Sequence, residues 1–257
     1  MSSLFAKLQR KPNVTFPEPR SDAPLAVIGD IHGCLSLLER LLAKLPNGVP
    51  VVCVGDYVDR GPDSLDTLRY LKEHENITCL MGNHEEMLLG FLADPGKEAG
   101  RWLRNGGLET LAYSGIAHKA GLTSNPETWT TDALQTASDL LVEKMGDALV
   151  DWLGTRPLIH QSGNIVIVHA ALDPKEPIPE FDLQRPVPQT MRQTYLWGHP
   201  DFFTTARSDG WWVAHGHTIM HQPVIAEGRI SLDTGAYATE VLTGAILSPE
   251  DVEVISA

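Results

Sequence analysis

Three short clusters hold most of the side chains able to do chemistry: Gly29-Asp30-Ile31-His32-Gly33, Gly55-Asp56-Tyr57-Val58-Asp59-Arg60-Gly61 and Gly82-Asn83-His84-Glu85. Two later stretches, His169-Ala170 and His215-Gly216-His217-Thr218, add imidazoles. Together they offer carboxylate, amide and imidazole groups with no thiolate. Such a mixed oxygen and nitrogen set suits Mn²⁺, Fe or Zn²⁺ better than an all-oxygen site would. Taken singly, each cluster has a plain structural reading, since Asp-x-His can be a surface pair and Gly-Asn-His a turn. Their shared setting is harder to assign to coincidence, because every one follows a short apolar run.

Those runs read as the strands that must position the clusters. Leu25–Ile28, Val51–Val54 and Ile77–Met81 are short and apolar without alternation, as expected of a sheet covered on both faces. Between them, helical spacing predicts a helix from Ser36 through Leu45, ended by Pro46-Asn47-Gly48, and another opened by Pro62-Asp63. A third helix starts at His84 and runs to about Leu92. Strand alternating with helix predicts parallel strands, whose carboxyl edge gathers loops around a crevice. From Asp94 to Gly154 no strand pattern appears. Arg101–Tyr113, interrupted by Gly106-Gly107, and Asp132–Leu153 read as an all-helical insert too poor in apolar residues to stand alone. Strands return at Pro157–His160 and Ile165–Val168, joined by a Gln161–Asn164 turn, and at Trp212–Ala214, Val224–Ala226, Arg229–Leu232 and Leu242–Leu247. Pro174–Pro188 reads as an extended surface loop. The predicted fold class is α/β (α+β), with two mixed sheets packed as a sandwich between helices. Residues 1–22 form an arm, with a short helix over Leu4–Gln9 as the alternative to extended chain. Residues 23–257 are expected to form one domain, with 94–154 as its insert.

With 257 residues and a net charge of −13, the chain is large enough for a well-buried core and too acidic for a duplex nucleic-acid binder. Bound cations would be needed to draw in an anionic substrate. Cys34, Cys53 and Cys79 are odd in number and lack zinc-knuckle spacing, which favours reduced thiols in a cytoplasmic protein. No apolar run approaches the roughly 20 residues of a membrane span.

In order and spacing, the clusters resemble the phosphoprotein phosphatase branch of the calcineurin-like metallophosphoesterases, and within it the compact bacterial and phage serine/threonine phosphatases. The likeness spans residues 25 to about 236. It implies a two-metal centre, with Mn²⁺ favoured over Fe or Zn²⁺: Asp30, His32 and Asp56 on one ion, and Asp56, Asn83, His169 and His217 on the other. Two cations about 3.5–4 Å apart activate a water and clamp a phosphoryl group for in-line attack. By the same resemblance His84 is the general acid oriented by Asp59, and Arg60 and Asn83 grip the phosphate.

There are departures from the family pattern. Met81 stands where eukaryotic members place Arg. His199 holds the place of a second phosphate-binding Arg after Leu196-Trp197, leaving His199, Arg192 or Arg207 as replacements. Relatives outside the phosphatase branch often place a further metal-binding His where this chain has Ile219, and His215 is ambiguous. His118, His160 and His221 read as structural or solvated. Three functions compete. A phosphatase acting on phosphoserine or phosphothreonine in proteins ranks first, on the intact Asp59-Arg60 pair. A symmetrical diadenosine tetraphosphate hydrolase using the same site comes second. A non-catalytic scaffold is third, and it would be expected to have lost a ligand or the acid.

Overall fold

The first three strands, Leu25–Ile28 (β1), Val51–Cys53 (β2) and Ile77–Cys79 (β3), are buried and pair in parallel, as their unbroken apolar character requires. This computed structural model describes residues 16–178 and 187–257. The Leu4–Gln9 helix and the middle of the Pro174–Pro188 loop therefore lie outside the described residues. Helices Leu35–Leu42 (α1), Ser64–Glu73 (α2) and Asn83–Ala93 (α3) follow the strands in turn, α3 starting one residue earlier than expected.

The sheet is completed on its other side by Thr243–Leu247 (β9), antiparallel to β1, and by Val252–Ser256 (β10). The second sheet runs Ile159–Ser162 (β4), Ile165–Val168 (β5), Trp212–His215 (β6), Arg229–Ser231 (β8) and Val224–Ala226 (β7). Strand β4 lies two residues later than expected, which narrows its turn to Gly163-Asn164. Glu227-Gly228 joins β7 to β8 with both residues at positive φ, the geometry of a tight hairpin.

Alternate strand residues sort into layers. Val27, Val52, Leu80, Ile165, Ile167 and Ala214 fill the space between the sheets. Ala26, Ile28, Val51 and Cys53 face the helices of the first half, and Val166, Val168 and Val213 face Gln189–Trp197 (α9). Phe16 to Asp22, the described part of the arm, lies along the second sheet. Trp212 Nε1 donates to the carbonyl of Pro17 at 2.7 Å, and Asn164 N–H donates to that of Arg20 at 3.0 Å.

The insert is helical throughout its regular elements: Pro95–Trp102 (α4), Leu108–Tyr113 (α5), Ile116–Ala120 (α6), Thr131–Met145 (α7) and Asp147–Gly154 (α8). The Asp132–Leu153 stretch is two helices because Gly146, at φ 76°, breaks it. The interruption at Gly106-Gly107 is a π turn over Leu103–Gly107. The apolar face of the insert does not close on itself. Helices α7 and α8 pack on α2 and α3, and Leu141 and Leu153 join the same apolar layer as Leu38 and Phe91.

Leu141 is fully buried in that shared layer. We predict that Leu141→Ala lowers the stability of the whole chain by about 2–5 kcal/mol, read as a shift of a single urea unfolding midpoint. A separate early transition with the main midpoint unmoved would instead make the insert an independent unit.

Candidate metal centre

All five clusters arrive at the carboxyl ends of strands. Asp30 and His32 follow β1, Asp56 follows β2, Asn83 and His84 open α3 after β3, His169 follows β5, and His217 follows β6. Asp56 is the common neighbour. Its Oδ2 lies 3.6 Å from His32 Nε2 and 3.8 Å from His84 Nε2, and its Oδ1 lies 3.4 Å from His169 Nε2. Two groups of convergent donors therefore share it, His32/Asp56/His84 and Asp56/His169/His217, with the ligand atoms in each within 4.8 Å of one another. The Asn83 Oδ1 sits 2.8 Å from both His169 Nε2 and His217 Nδ1. Asp30 is buried beside the second group, accepting the backbone N–H of His217 at 2.9 Å.

The residues fit a pair of cations. The lone-pair atoms Asp56 Oδ1, Asn83 Oδ1, His169 Nε2 and His217 Nδ1 are crowded together, the arrangement a bound cation would satisfy. Burial opposes ionisation of Asp56, yet the facing imidazoles of His169, His84 and His32 hold its carboxyl far below the usual range. Asp30 moves the other way, pushed up by burial and by the Asp233 and Asp56 charges. Carboxylates crowded in this way repel one another, and bound cations would relieve that repulsion.

The backbone is bent to make this possible. His32, Asp56, Asp59, Arg60 and His217 all have positive φ, between 45° and 73°. A left-handed non-glycine residue costs about 1 kcal/mol or more, and such strain concentrates where a side chain must be re-aimed. Two features hold the bends in place. Ile31 and His32 donate their backbone N–H groups to the Asp56 carbonyl at 3.0 and 2.8 Å. The buried Glu85 carboxylate accepts the backbone N–H groups of Asp56, Tyr57 and Gly82 at 2.8, 2.7 and 3.0 Å. Gly82 is needed for closeness, since a Cβ there would fall on Asp56 Oδ1.

His84 is paired as a proton-transfer group should be. Its Nδ1 lies 2.6 Å from Asp59 Oδ2. Burial disfavours its charge, but the Asp56 and Asp59 carboxylates outweigh burial and raise its pKa. The fully buried Asp59 is itself held by the insert. Trp102 Nε1 donates to its Oδ2 at 2.9 Å and Thr110 Oγ1 to its Oδ1 at 2.7 Å. Gly106 donates nothing but room: its carbonyl accepts Arg60 N–H at 3.3 Å, and a Cβ there would meet Arg60 Cγ. Arg60 spreads its fork across the mouth, 3.0 Å from His32 Nε2 and 3.3 Å from His84 Nε2, with its Cζ 4.9 Å from the Tyr237 ring.

Sequence reasoning overlooked Trp102, Thr110, Tyr237 and Asp233. Of these, only the paired glycines after Trp102 signalled a close approach. The ambiguous histidine is resolved: His215 is buried, with Nε2 at 2.8 Å from Ser231 Oγ and Nδ1 at 2.9 Å from the Gly216 carbonyl. It packs among Phe202 and Phe203, a structural role. Arg207 is buried in the fold, donating to Asp209 and to the carbonyls of Asp173 and Glu176. His199 faces Asp173 at 3.5 Å, and Arg192 lies on Glu86.

Burial lowers the pKa of His32 and His169 to about 3 and of His215 to about 4. Unfolded histidines take up protons near pH ~6.5, before these folded ones do, so stability is full above that pH and is lost as pH falls towards 4. We predict a falling urea midpoint for the metal-free protein across this window, with a shallower slope in His215→Gln. A midpoint unchanged from pH 7 to 4 would contradict it.

Comparison with known proteins agrees with this geometry. The model of the calcineurin-like phosphoesterases matches residues 23–255. A symmetrical bis(5'-nucleosyl)-tetraphosphatase of Methylococcus capsulatus is 30% identical over 151 residues, 57% of this chain and 42% of that protein. Serine/threonine-protein phosphatase 1 of Salmonella typhimurium is 45% identical over 84 residues, 32% of this chain and 38% of its own. The chain thus spans less than half the length of either relative. A solved serine/threonine phosphatase from Saccharomyces cerevisiae superposes with a TM-score of 0.56 at 15% identity, covering 93% of this chain and 84% of that one, and so shares the fold. With a shared carboxylate at the meeting point of five strand ends and a family match along nearly its whole length, the chain belongs to the calcineurin-like phosphoesterases.

Proposed function

We propose that this phosphoesterase uses two divalent cations to cleave a bis(5'-nucleosyl) tetraphosphate symmetrically. The observation that carries the two-cation reading is the single Asp56 carboxylate shared by two donor groups. By the family resemblance, Asp30, His32 and Asp56 would hold one ion, which leaves the His84 of the first donor group for proton transfer, and Asp56, Asn83, His169 and His217 would hold the other, with Mn²⁺ the first choice. When bound, the ions supply an activated water and offset the charge of the phosphoryl group. The chain's own residues do the rest. Arg60 orients the phosphoryl oxygens through its planar fork, aided by the Asn83 amide. His84, held by Asp59, delivers a proton to the departing oxygen.

The choice of substrate reverses the order read from the sequence. The likeness to the symmetrical tetraphosphatases reaches across more of this chain than the likeness to the phosphatase does. A phosphoserine or phosphothreonine phosphatase is the second reading, favoured by one feature. The short His84–Asp59 pair is the device a poor alkoxide leaving group needs most. Residues 23–257 act as one catalytic unit on either reading, with 94–154 flanking the site.

Incubation with Mn²⁺ and either diadenosine tetraphosphate or a phosphopeptide separates the two. We expect ADP to accumulate with little phosphopeptide turnover; brisk phosphopeptide turnover without ADP would reverse the assignment. On the same protein, His84→Asn should retain metal while losing about 10²–10⁴-fold in turnover of an alkyl phosphate, and less with an activated aryl phosphate. Equal losses on both would remove His84 as the acid.

A further inference from the structure

A second polar cluster lies beside the centre. Glu86, two residues beyond His84, accepts Trp197 Nε1 at 2.8 Å and Arg192 Nε at 2.9 Å. Arg101 approaches the same carboxylate at 3.9 Å and lays its guanidinium over the Trp197 ring, 4.1 Å from the centroid. The edge of that ring meets His217, with centroids 6.5 Å apart. One carboxylate and one indole thus gather two arginines next to the half of the centre that contains His217.

A tie between helices would need only one of those cations. The pair leaves an excess of positive charge on a chain whose net charge is −13. Among the described residues, the two terminal nitrogens of Arg192 have no hydrogen-bond partner, and the Arg101 guanidinium has none at all. Their side chains are 30% and 45% exposed, so these donors are open to a ligand. Stacking on an indole and pairing with a carboxylate fix the planes of the forks in advance, so less entropy is lost when they bind an anion. A cleft of about 400 Å³, which shares Trp197 and His217 with this cluster but not its arginines, gives room for the remainder of a long substrate.

We infer that Arg101 and Arg192 bind the outer, non-reacting phosphates of a polyphosphate chain whose reacting phosphate lies at the Asp56 centre. The inference rests on the polyphosphate reading given above and adds the residues that select chain length. A phosphomonoester presents no second phosphate to these arginines; a tetraphosphate does.

The test uses the Mn²⁺-loaded protein, Arg101→Gln, Arg192→Gln and the double variant, at fixed free Mn²⁺. Each substitution is expected to raise KM for diadenosine tetraphosphate about tenfold, as loss of a charged hydrogen bond implies. KM and kcat for an aryl monophosphate should stay unchanged. Inhibition of aryl phosphate hydrolysis by inorganic tripolyphosphate should weaken in parallel, while inhibition by orthophosphate should not. Unchanged KM for the dinucleotide together with unchanged tripolyphosphate inhibition overturns the inference, as does an equal loss on both substrates. If the wild-type protein does not cleave the dinucleotide, the substrate assignment fails while the tripolyphosphate measurement still decides the arginines. Should a glutamine variant fail to fold, Arg101→Lys and Arg192→Lys keep charge without the fork, and their tripolyphosphate inhibition is expected to fall partway.

Discussion

A carboxylate buried among imidazoles is the constraint on which this molecule turns. Asp56 is 2% exposed, and an isolated charge at such depth would be prohibitively costly. Its carboxyl is nonetheless held below the usual range by His169, His84, His32 and His217, which reach it from four separate chain segments. Those segments can converge only if the two sheets end on the same rim. The sandwich is therefore more than a support for the site. Its layer of Val27, Val52, Leu80, Ile167 and Ala214 fixes the spacing between the sheet bearing His32 and Asp56 and the sheet bearing His169 and His217.

Turning side chains back over that rim has a conformational cost. Five of the seven non-glycine residues with positive φ among the described residues belong to the site clusters. Each bend is small in energy beside the packing of two apolar layers, so the core can hold all of them. Glu85 shows how the strain is secured. Its carboxylate ties the loop after β2 to the loop after β3, and places Asp56 and His84 in one frame. The Asp56 Oδ1 accepts the His84 N–H at 3.0 Å, so even the first turn of α3 is anchored on the shared carboxylate.

The clusters were legible because strand ends and metal-seeking residues are local patterns: an apolar run, a glycine, then Asp or His. The parallel strands β1 to β3, the insert's helical character and the sandwich followed from unbroken apolar runs, helical spacing and turn signals. What stayed hidden depends on distant pairing. Strand β10 carries alternating charge in Val252-Glu253-Val254 and looks like surface chain until β9 is there to pair with it. Helix α9 follows a proline-rich stretch and lacks an acidic first turn, so nothing local announced it. The roles of Trp102, Thr110 and Arg207 are tertiary contacts, and an isolated Arg in a sequence does not reveal that two backbone carbonyls already occupy it.

The insert illustrates how a flank becomes part of the chemistry. Arg101 and Trp102 are neighbours at the end of α4, yet they serve opposite sides. Trp102 holds Asp59, and through it the ring of His84; Arg101 lies over Trp197 beside His217. The glycines of the π turn then let Gly106 pass close enough to accept the Arg60 backbone N–H. A single helix end and the turn that follows it thus reach the His84–Asp59 pair, the Arg60 backbone and the second arginine cluster. On the proposed reading, change in α4 would alter leaving-group protonation and anion recognition together, while the strand ends that carry Asp56 and the histidines, set by the two sheets, would be left as they are. On that reading, selection among phosphate-bearing substrates could be adjusted in the insert without disturbing the shared carboxylate.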